Sequence, residues 1–166
     1  MKSLPTLERL NELFELKDGV LYWKKVTSNR AKVGDPVGTV FNNGYLNCSV
    51  DKNKLLNHRI IYKMVHGIEP EFIDHIDGNK LNNNPKNLRS VTMTQNNWNT
   101  ASKPSKSGVK GVYFDARRNS YIARLKRSAK KVWLGSFPTL ELAREFVELA
   151  REMLHGEYAN HKGAMK

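Results

Sequence analysis

Asp74 and His75 are neighbours at the end of a short apolar run, Phe72-Ile73, and a loop dense in Gly and Asn carries the chain from them to Asn87. A carboxylate is a hard oxygen ligand suited to Mg2+. An imidazole ordinarily titrates near neutrality, which suits it to general-base work. Further on, Asn96 and Asn99 lie three residues apart and can share one face of a helix, from which an amide oxygen could complete a cation site; Asn97 points elsewhere. Phosphodiester hydrolysis needs this set: an activated water, a cation to neutralise charge on the phosphate and leaving oxygen, and accurate placement. Successive strand residues face opposite ways, so alternation alone does not make Asp74 and His75 a catalytic pair. Taken singly, an Asp-His pair is usually structural, and an Asn-rich loop is usually a set of tight turns.

The elements that must hold these groups follow from turn signals. Asp77-Gly78 and Asn84-Pro85 read as turns, so residues 72–98 form a strand, an ordered loop, a strand at Leu88-Arg89-Ser90-Val91, and a short helix. Upstream, Leu4, Leu7, Leu10, Leu13 and Phe14 have helical spacing, with Leu16-Lys17-Asp18-Gly19 as the stop. Val20-Leu21-Tyr22-Trp23 reads as a strand, and residues 45–50 and 54–56 flank a hairpin turn. A helix is predicted over about residues 57–65, with Ile60, Ile61, Met64 and Val65 inward and Gly67 beyond its end. His58 reads as a packing residue, and His66, His155 and His161 as surface or structural.

Residues 102–107 have linker composition and divide a first domain, 1–101, from a second, 108–160, with a tail at 161–166. The second contains strand patterns at 109–114, 121–126 and 131–134, then an amphipathic helix with Thr139 as N-cap and Gly156 as stop. Its apolar face is read as Ala143, Phe146, Val147, Ala150 and Leu154. The fold class is therefore α+β. A helix covers one face of such a sheet and leaves the other to a partner, and alternation puts several of Arg117, Arg118, Tyr121, Arg124 and Lys126 on or beside it.

The net charge of +12 is uneven. Residues 1–101 carry 14 Lys/Arg against 10 Asp/Glu, and residues 102–166 carry 14 against 6. Between Lys103 and Lys131 ten basic residues face Asp115 alone, an electrostatic footprint for a polyanion. No apolar run is long enough for a membrane segment. The single Cys48 excludes an internal disulfide and a Cys-rich zinc site, which points to an intracellular protein.

The combination of His58-Arg59, Asp74-His75-Ile76-Asp77-Gly78-Asn79-Lys80, Asn82-Asn83, Asn87-Leu88-Arg89 and Asn96 resembles the HNH nuclease family, in particular phage and intron-encoded homing endonucleases, over about residues 20–100. The resemblance implies a ββα-metal unit, a strand pair and helix around one Mg2+ (or Mn2+) per active site. It implies His75 as general base, Asp74 and Asn96 as metal ligands, and Asn87 as the residue that braces the loop and orients His75. Many members have His where Asn96 stands, and Asn99 is the competing ligand.

Gly111-Val112-Tyr113, Tyr121-Ile122-Ala123-Arg124-Leu125, Val132-Trp133-Leu134-Gly135-Ser136-Phe137 and the helix after them resemble the plant ethylene-response-factor DNA-binding domain. By position that resemblance puts Lys110, Tyr113, Arg118, Arg124, Lys126, Lys131 and Trp133 against the major groove. Tyr113, Arg118 and Arg124 differ from the plant identities, so the plant target sequence does not transfer.

Together these resemblances imply a site-preferring, Mg2+-dependent homing-type DNA endonuclease that leaves 5′-phosphate and 3′-hydroxyl ends. Double-stranded DNA is the expected partner. Neither a small-molecule cofactor nor a membrane is expected, and the chain is expected to be a monomer or weak dimer. Deleting residues 102–166 is expected to weaken binding but spare basal nicking. The alternative is a transcriptional regulator on an inactive HNH scaffold; retention of Asp74, His75, Asn87 and Asn96 together argues against it. An RNA-directed module would favour a more aromatic sheet face.

Overall fold

The computed structural model describes residues 3–26, 31–99, 106–127 and 130–161. The linker positions 102–105 and the tail positions 162–166 lie outside the described residues. Among the described residues the architecture is mixed α/β, with small antiparallel sheets and four α-helices, and the chain divides into two compact units, residues 1–91 and 92–166.

The first unit opens with α1 (Leu7–Leu13), capped by the Thr6 hydroxyl, which accepts from Arg9 N. The helix stops at Phe14 because β1 (Phe14–Lys17) turns back against β2 (Val20–Trp23). The Leu16–Gly19 stretch is thus a hairpin rather than a helix stop. Asp18 (φ 49°) and Gly19 (φ 79°) make the paired left-handed turn that suits a two-residue hairpin. A Cβ on Gly19 would lie 2.6 Å from Asn84 Cα, so this turn seats directly against the Asn-rich loop.

Strands β3 (Thr39–Val40), β4 (Leu46–Val50) and β5 (Asn53–Leu56) form a second small sheet, and β5 runs into α2 (Asn57–His66). Gly67 ends α2 in the left-handed conformation, with its N–H on the Lys63 carbonyl. Leu10, Leu13, Phe14, Leu21, Val50, Leu55, Ile60 and Ile61 close the core, and Leu88 joins it from β7 (Leu88–Val91). That strand pairs with β6 (Phe72–His75), Asp74 opposite Arg89 and His75 opposite Leu88.

The second unit holds α3 (Met93–Asn99), the antiparallel sheet β10-β9-β8, and α4 (Leu140–His155). β8 spans Val112–Asp115, β9 Ser120–Arg127 and β10 Lys130–Phe137. Val112, Ala123 and Leu125 pack on Ala143 and Val147 of α4. The Thr139 hydroxyl caps α4 by accepting from Leu142 N. The buried stripe of α4 runs Ala143, Val147, Arg151, His155, while Phe146 and Leu154 are largely exposed. This rotates the helix from the face expected of its apolar residues.

Candidate active site

The entry into β6 is held by a side chain that carries no chemistry. Arg59 of α2 is buried and donates to the carbonyls of Glu71 (3.2 Å) and Pro70 (2.9 Å) while pairing with Glu69 (3.3 Å). Both terminal nitrogens of its fork thus go to backbone carbonyls and a carboxylate, which fixes where the strand begins.

Asp74 and His75 are buried to 7% and 4% exposure. Asp74 Oδ2 accepts from Arg89 Nε (3.1 Å) and Nη2 (2.9 Å) across the strand pair. A buried carboxylate needs a counter-charge to remain ionised, and Arg89 supplies one. His75 Nε2 lies 3.0 Å from Asn83 Oδ1, itself on a buried side chain. An amide oxygen can only accept, so with Asn83 in this orientation Nε2 carries the proton and Nδ1 bears the basic lone pair.

The loop between the strands is an amide-and-carboxylate lattice. Asn87 Nδ2 donates to Asp77 Oδ1 (2.9 Å) and to the Asn82 carbonyl (2.8 Å), and Asn87 Oδ1 accepts from Asp77 N (3.1 Å). Asn82 Nδ2 donates to Asp77 Oδ2 (2.7 Å). Asn87 therefore braces the loop, and the amide that meets the His75 ring is that of Asn83. Hydrogen bonds from Asn82, Asn87 and the Asn79 N–H hold the Asp77 carboxyl below its ordinary pKa, against the opposing effect of burial.

Two aromatic groups complete the wall beside His75. The His58 ring, on α2, stands edge-on to it with centroids 5.2 Å apart, and Tyr45 lies 5.1 Å from His58 and 5.9 Å from His75. Lys80 Nζ sits 4.7 Å over the Tyr45 ring. Burial, helped by the nearby Asp74 charge, raises the Tyr45 pKa. His58 is pushed down to about 3 by burial, then by the charges of His75 and Arg59.

Unfolded, His58 takes up a proton near 6.5; folded, it does so only near 3. The unfolded state binds the extra proton in that window, so stability present above pH 6.5 is lost as pH falls toward 3. Urea unfolding in EDTA should lose roughly 3 kcal/mol more between pH 7 and pH 4 in the native protein than in His58→Phe. Equal losses in both would remove His58 from the acid response.

Asn96 lies on α3, in the second unit, partly buried, its N–H on the Thr92 carbonyl at 3.0 Å. Asn99 is buried, and its Oδ1 accepts from Asn160 Nδ2 at 3.3 Å.

The candidate DNA contacts separate by strand parity. Arg124 pairs with Trp133 and Lys126 with Lys131, and all four are exposed on the sheet face away from α4. Trp133 is 58% exposed there. Tyr113 joins them, with the Arg124 guanidinium 4.9 Å over its ring. Arg117 and Arg118 are exposed in the β8–β9 turn, beside Asp115. Tyr121, three residues from Arg124, faces the other way and packs with the α4 core. Lys110 is not on the face: its Nζ donates to the carbonyls of Trp98 (3.4 Å) and Asn160 (3.2 Å), and burial lowers its pKa to about 8.

Arg59, Asn83 and Arg89 stand in the motif that carries the family resemblance, but the sequence assigned none of them a role. His-Arg at 58–59 and the Asn-Asn pair at 82–83 were visible, but nothing in a one-dimensional pattern says which amide of a run meets the ring.

The family model for HNH endonuclease matches residues 56–98, which contain α2, β6, β7 and nearly all of α3. An uncharacterized HNH endonuclease of Acanthamoeba polyphaga mimivirus is 36% identical over 114 residues, 67% of this chain and 59% of that protein. Protein 3.8 of Escherichia phage T7 is 32% identical over 108 residues, 63% of this chain and 88% of that protein. The chain thus spans less than two thirds of the mimivirus relative, and no solved structure matches it. The matched segment encloses the paired strands that bury Asp74 and His75, and by that match the chain carries an HNH endonuclease domain over residues 56–98, shared with a relative named an HNH endonuclease.

Proposed function

We propose that this chain is a Mg2+-dependent, site-preferring DNA endonuclease of the homing type, whose chemistry is centred on the β6–β7 hairpin. The observation that carries the reading is His75, buried beside Asp74 and held through Nε2 by Asn83, inside the segment matched by the HNH family. HNH nucleases in general use a divalent metal ion. The donor chemistry fits one: Asp74 is a buried hard-oxygen ligand whose charge is already balanced by a cation, Arg89. Among the described residues no three His, Cys, Asp or Glu cluster to hold a metal.

Asp74 is the first protein ligand in this reading, and Asn96 the second by the family pattern. The bound ion would neutralise charge on the scissile phosphate and the leaving oxygen. The chain's own residues do the rest. His75 Nδ1 takes the proton of the attacking water, Asn83 keeps the ring in the required tautomer, and the Asn87–Asp77 lattice fixes the loop around it. Tyr45 and His58, both neutral at pH 7, wall the imidazole without adding a charge. Incubation of supercoiled plasmid should yield nicked circles with Mg2+ and none with EDTA; supercoiled DNA left intact in Mg2+ would contradict the proposal.

The second part of the reading is that the exposed face of β8–β10 binds double-stranded DNA through its major groove, as the resemblance to the plant domain implies. Tyr113, Arg124, Lys126, Lys131 and Trp133 supply it, with Arg117 and Arg118 at its edge. Arg124→Ala combined with Lys131→Ala should lower affinity by at least tenfold and flatten the salt dependence, because each lost phosphate contact removes about one counterion from the slope. Unchanged affinity and slope would place the DNA elsewhere. No helix among the described residues is long and apolar enough to cross a membrane.

A further inference from the structure

We infer that Trp98, Asn99, Lys110, His155 and Asn160 form a clasp that fastens the end of α3 to the C-terminal unit, and that they are positioning residues for Asn96. The inference rests on the reading of Asn96 as a metal ligand. It begins with the weakness of α3 itself. Seven residues, Met-Thr-Gln-Asn-Asn-Trp-Asn, make two polar turns, and a helix of that length does not persist alone in water. Met93 is 59% exposed, so Trp98 is the one large apolar anchor on the helix.

That anchor is met on α4. The Trp98 and His155 rings stack with centroids 4.5 Å apart and planes 8° from parallel. His155 ends the buried stripe of α4, and burial beside Arg151 and Lys110 lowers its pKa, so it stacks as a neutral ring. The last four carbonyls of a helix have no partner within it, and here the final two receive side chains from later in the chain. Trp98 O accepts from Lys110 Nζ at 3.4 Å, and Asn99 O accepts from Asn160 Nδ2 at 2.5 Å. Lys110 Nζ also donates to the Asn160 carbonyl, and the Lys110 carbonyl accepts from Arg151 Nη2 at 2.7 Å. Arg151 is 1% exposed, so the clasp is rooted in the packed side of α4.

The sheet's own core does not use these contacts. Val112, Ala123, Leu125, Ala143 and Val147 close it, and Trp98 is not among them. What the clasp fixes is α3. A helix that falls within the family-matched segment is therefore secured by residues beyond that segment, from Lys110 to Asn160. The unit that presents the basic face also sets the Asn96 backbone. On this inference, deletion of residues 102–166 would lower nicking as well as binding.

The test uses the full chain with Trp98→Ala, Trp98→Phe, Asn160→Ala and Asn96→Ala. Affinity is read in Ca2+ without turnover, and cleavage at saturating DNA across a Mg2+ titration. Trp98→Ala and Asn160→Ala should each lower kcat at least tenfold and raise the Mg2+ midpoint, with DNA affinity within threefold of native. Trp98→Phe, which keeps a stacking ring, should recover most of the rate. In metal-free protein, hydrogen exchange of the α3 amides should accelerate at least tenfold in Trp98→Ala while β9 amides hold their protection. Native rate and Mg2+ midpoint in both Trp98→Ala and Asn160→Ala would overturn the clasp, as would unchanged α3 exchange. Native behaviour of Asn96→Ala would instead overturn the metal-ligand reading beneath it.

Discussion

His75→Ala should reduce cleavage by at least a thousandfold while DNA affinity, measured in Ca2+, stays within about threefold of native. A positioned general base contributes typically 10²–10⁴-fold, and this imidazole is the group the surrounding structure is arranged to orient. Asn83 holds Nε2 at 3.0 Å, so the basic nitrogen is directed by a side chain that is itself buried. The same logic makes Asn83→Ala informative: without its partner the ring loses tautomer and orientation, and the rate should fall without a matching loss of affinity. Substantial turnover in His75→Ala, above one tenth of native, would remove the general base from the account.

Arg89→Ala should destabilise metal-free protein by about 3 kcal/mol, since removing one partner of a buried ion pair leaves the other charge buried. The pair is well suited to show this, with side-chain exposures of 12% and 9%. Mg2+ should then stabilise Arg89→Ala more than it stabilises native protein, because the ion replaces the missing guanidinium beside Asp74. Asp74→Asn should abolish both cleavage and the Mg2+ response. Combined with Arg89→Ala it should recover part of the lost stability, giving a coupling energy in a double-mutant cycle. If Mg2+ shifts the two proteins equally, Arg89 and the ion do not share the carboxylate.

The parts of this molecule legible in sequence are those set by local rules. Turn chemistry at Asp77-Gly78 and Asn84-Pro85 marked the ordered loop, and Thr139 marked the start of α4 through a hydroxyl that accepts from Leu142 N. The hairpin at Asp18-Gly19 was misread as a helix stop, because a left-handed Gly serves both purposes and only the pairing of β1 with β2 tells them apart. The α4 face was read from apolar residues alone. Its buried stripe continues instead through Arg151 and His155, whose partners lie outside the helix: the Lys110 carbonyl for one, the Trp98 ring for the other.

Strand parity could have placed Tyr121, since it is odd-spaced from Arg124. It could not have placed Lys110, which precedes β8 and turns inward to carbonyls. At the candidate site, residue type announced Asp74 and His75. The choice of Asn83 over Asn82 or Asn87 depended on loop geometry that many distant contacts impose, among them the Gly19 turn against Asn84.

The most direct test is a crystal of the full chain soaked in Mn2+ and measured at the manganese edge. The account predicts an anomalous peak bonded to Asp74, with Asn96 as its other protein ligand and the His75 ring still on Asn83, outside the coordination shell. A metal bonded to His75 itself, or bound away from Asp74 in crystals whose dissolved protein cleaves DNA, would contradict it.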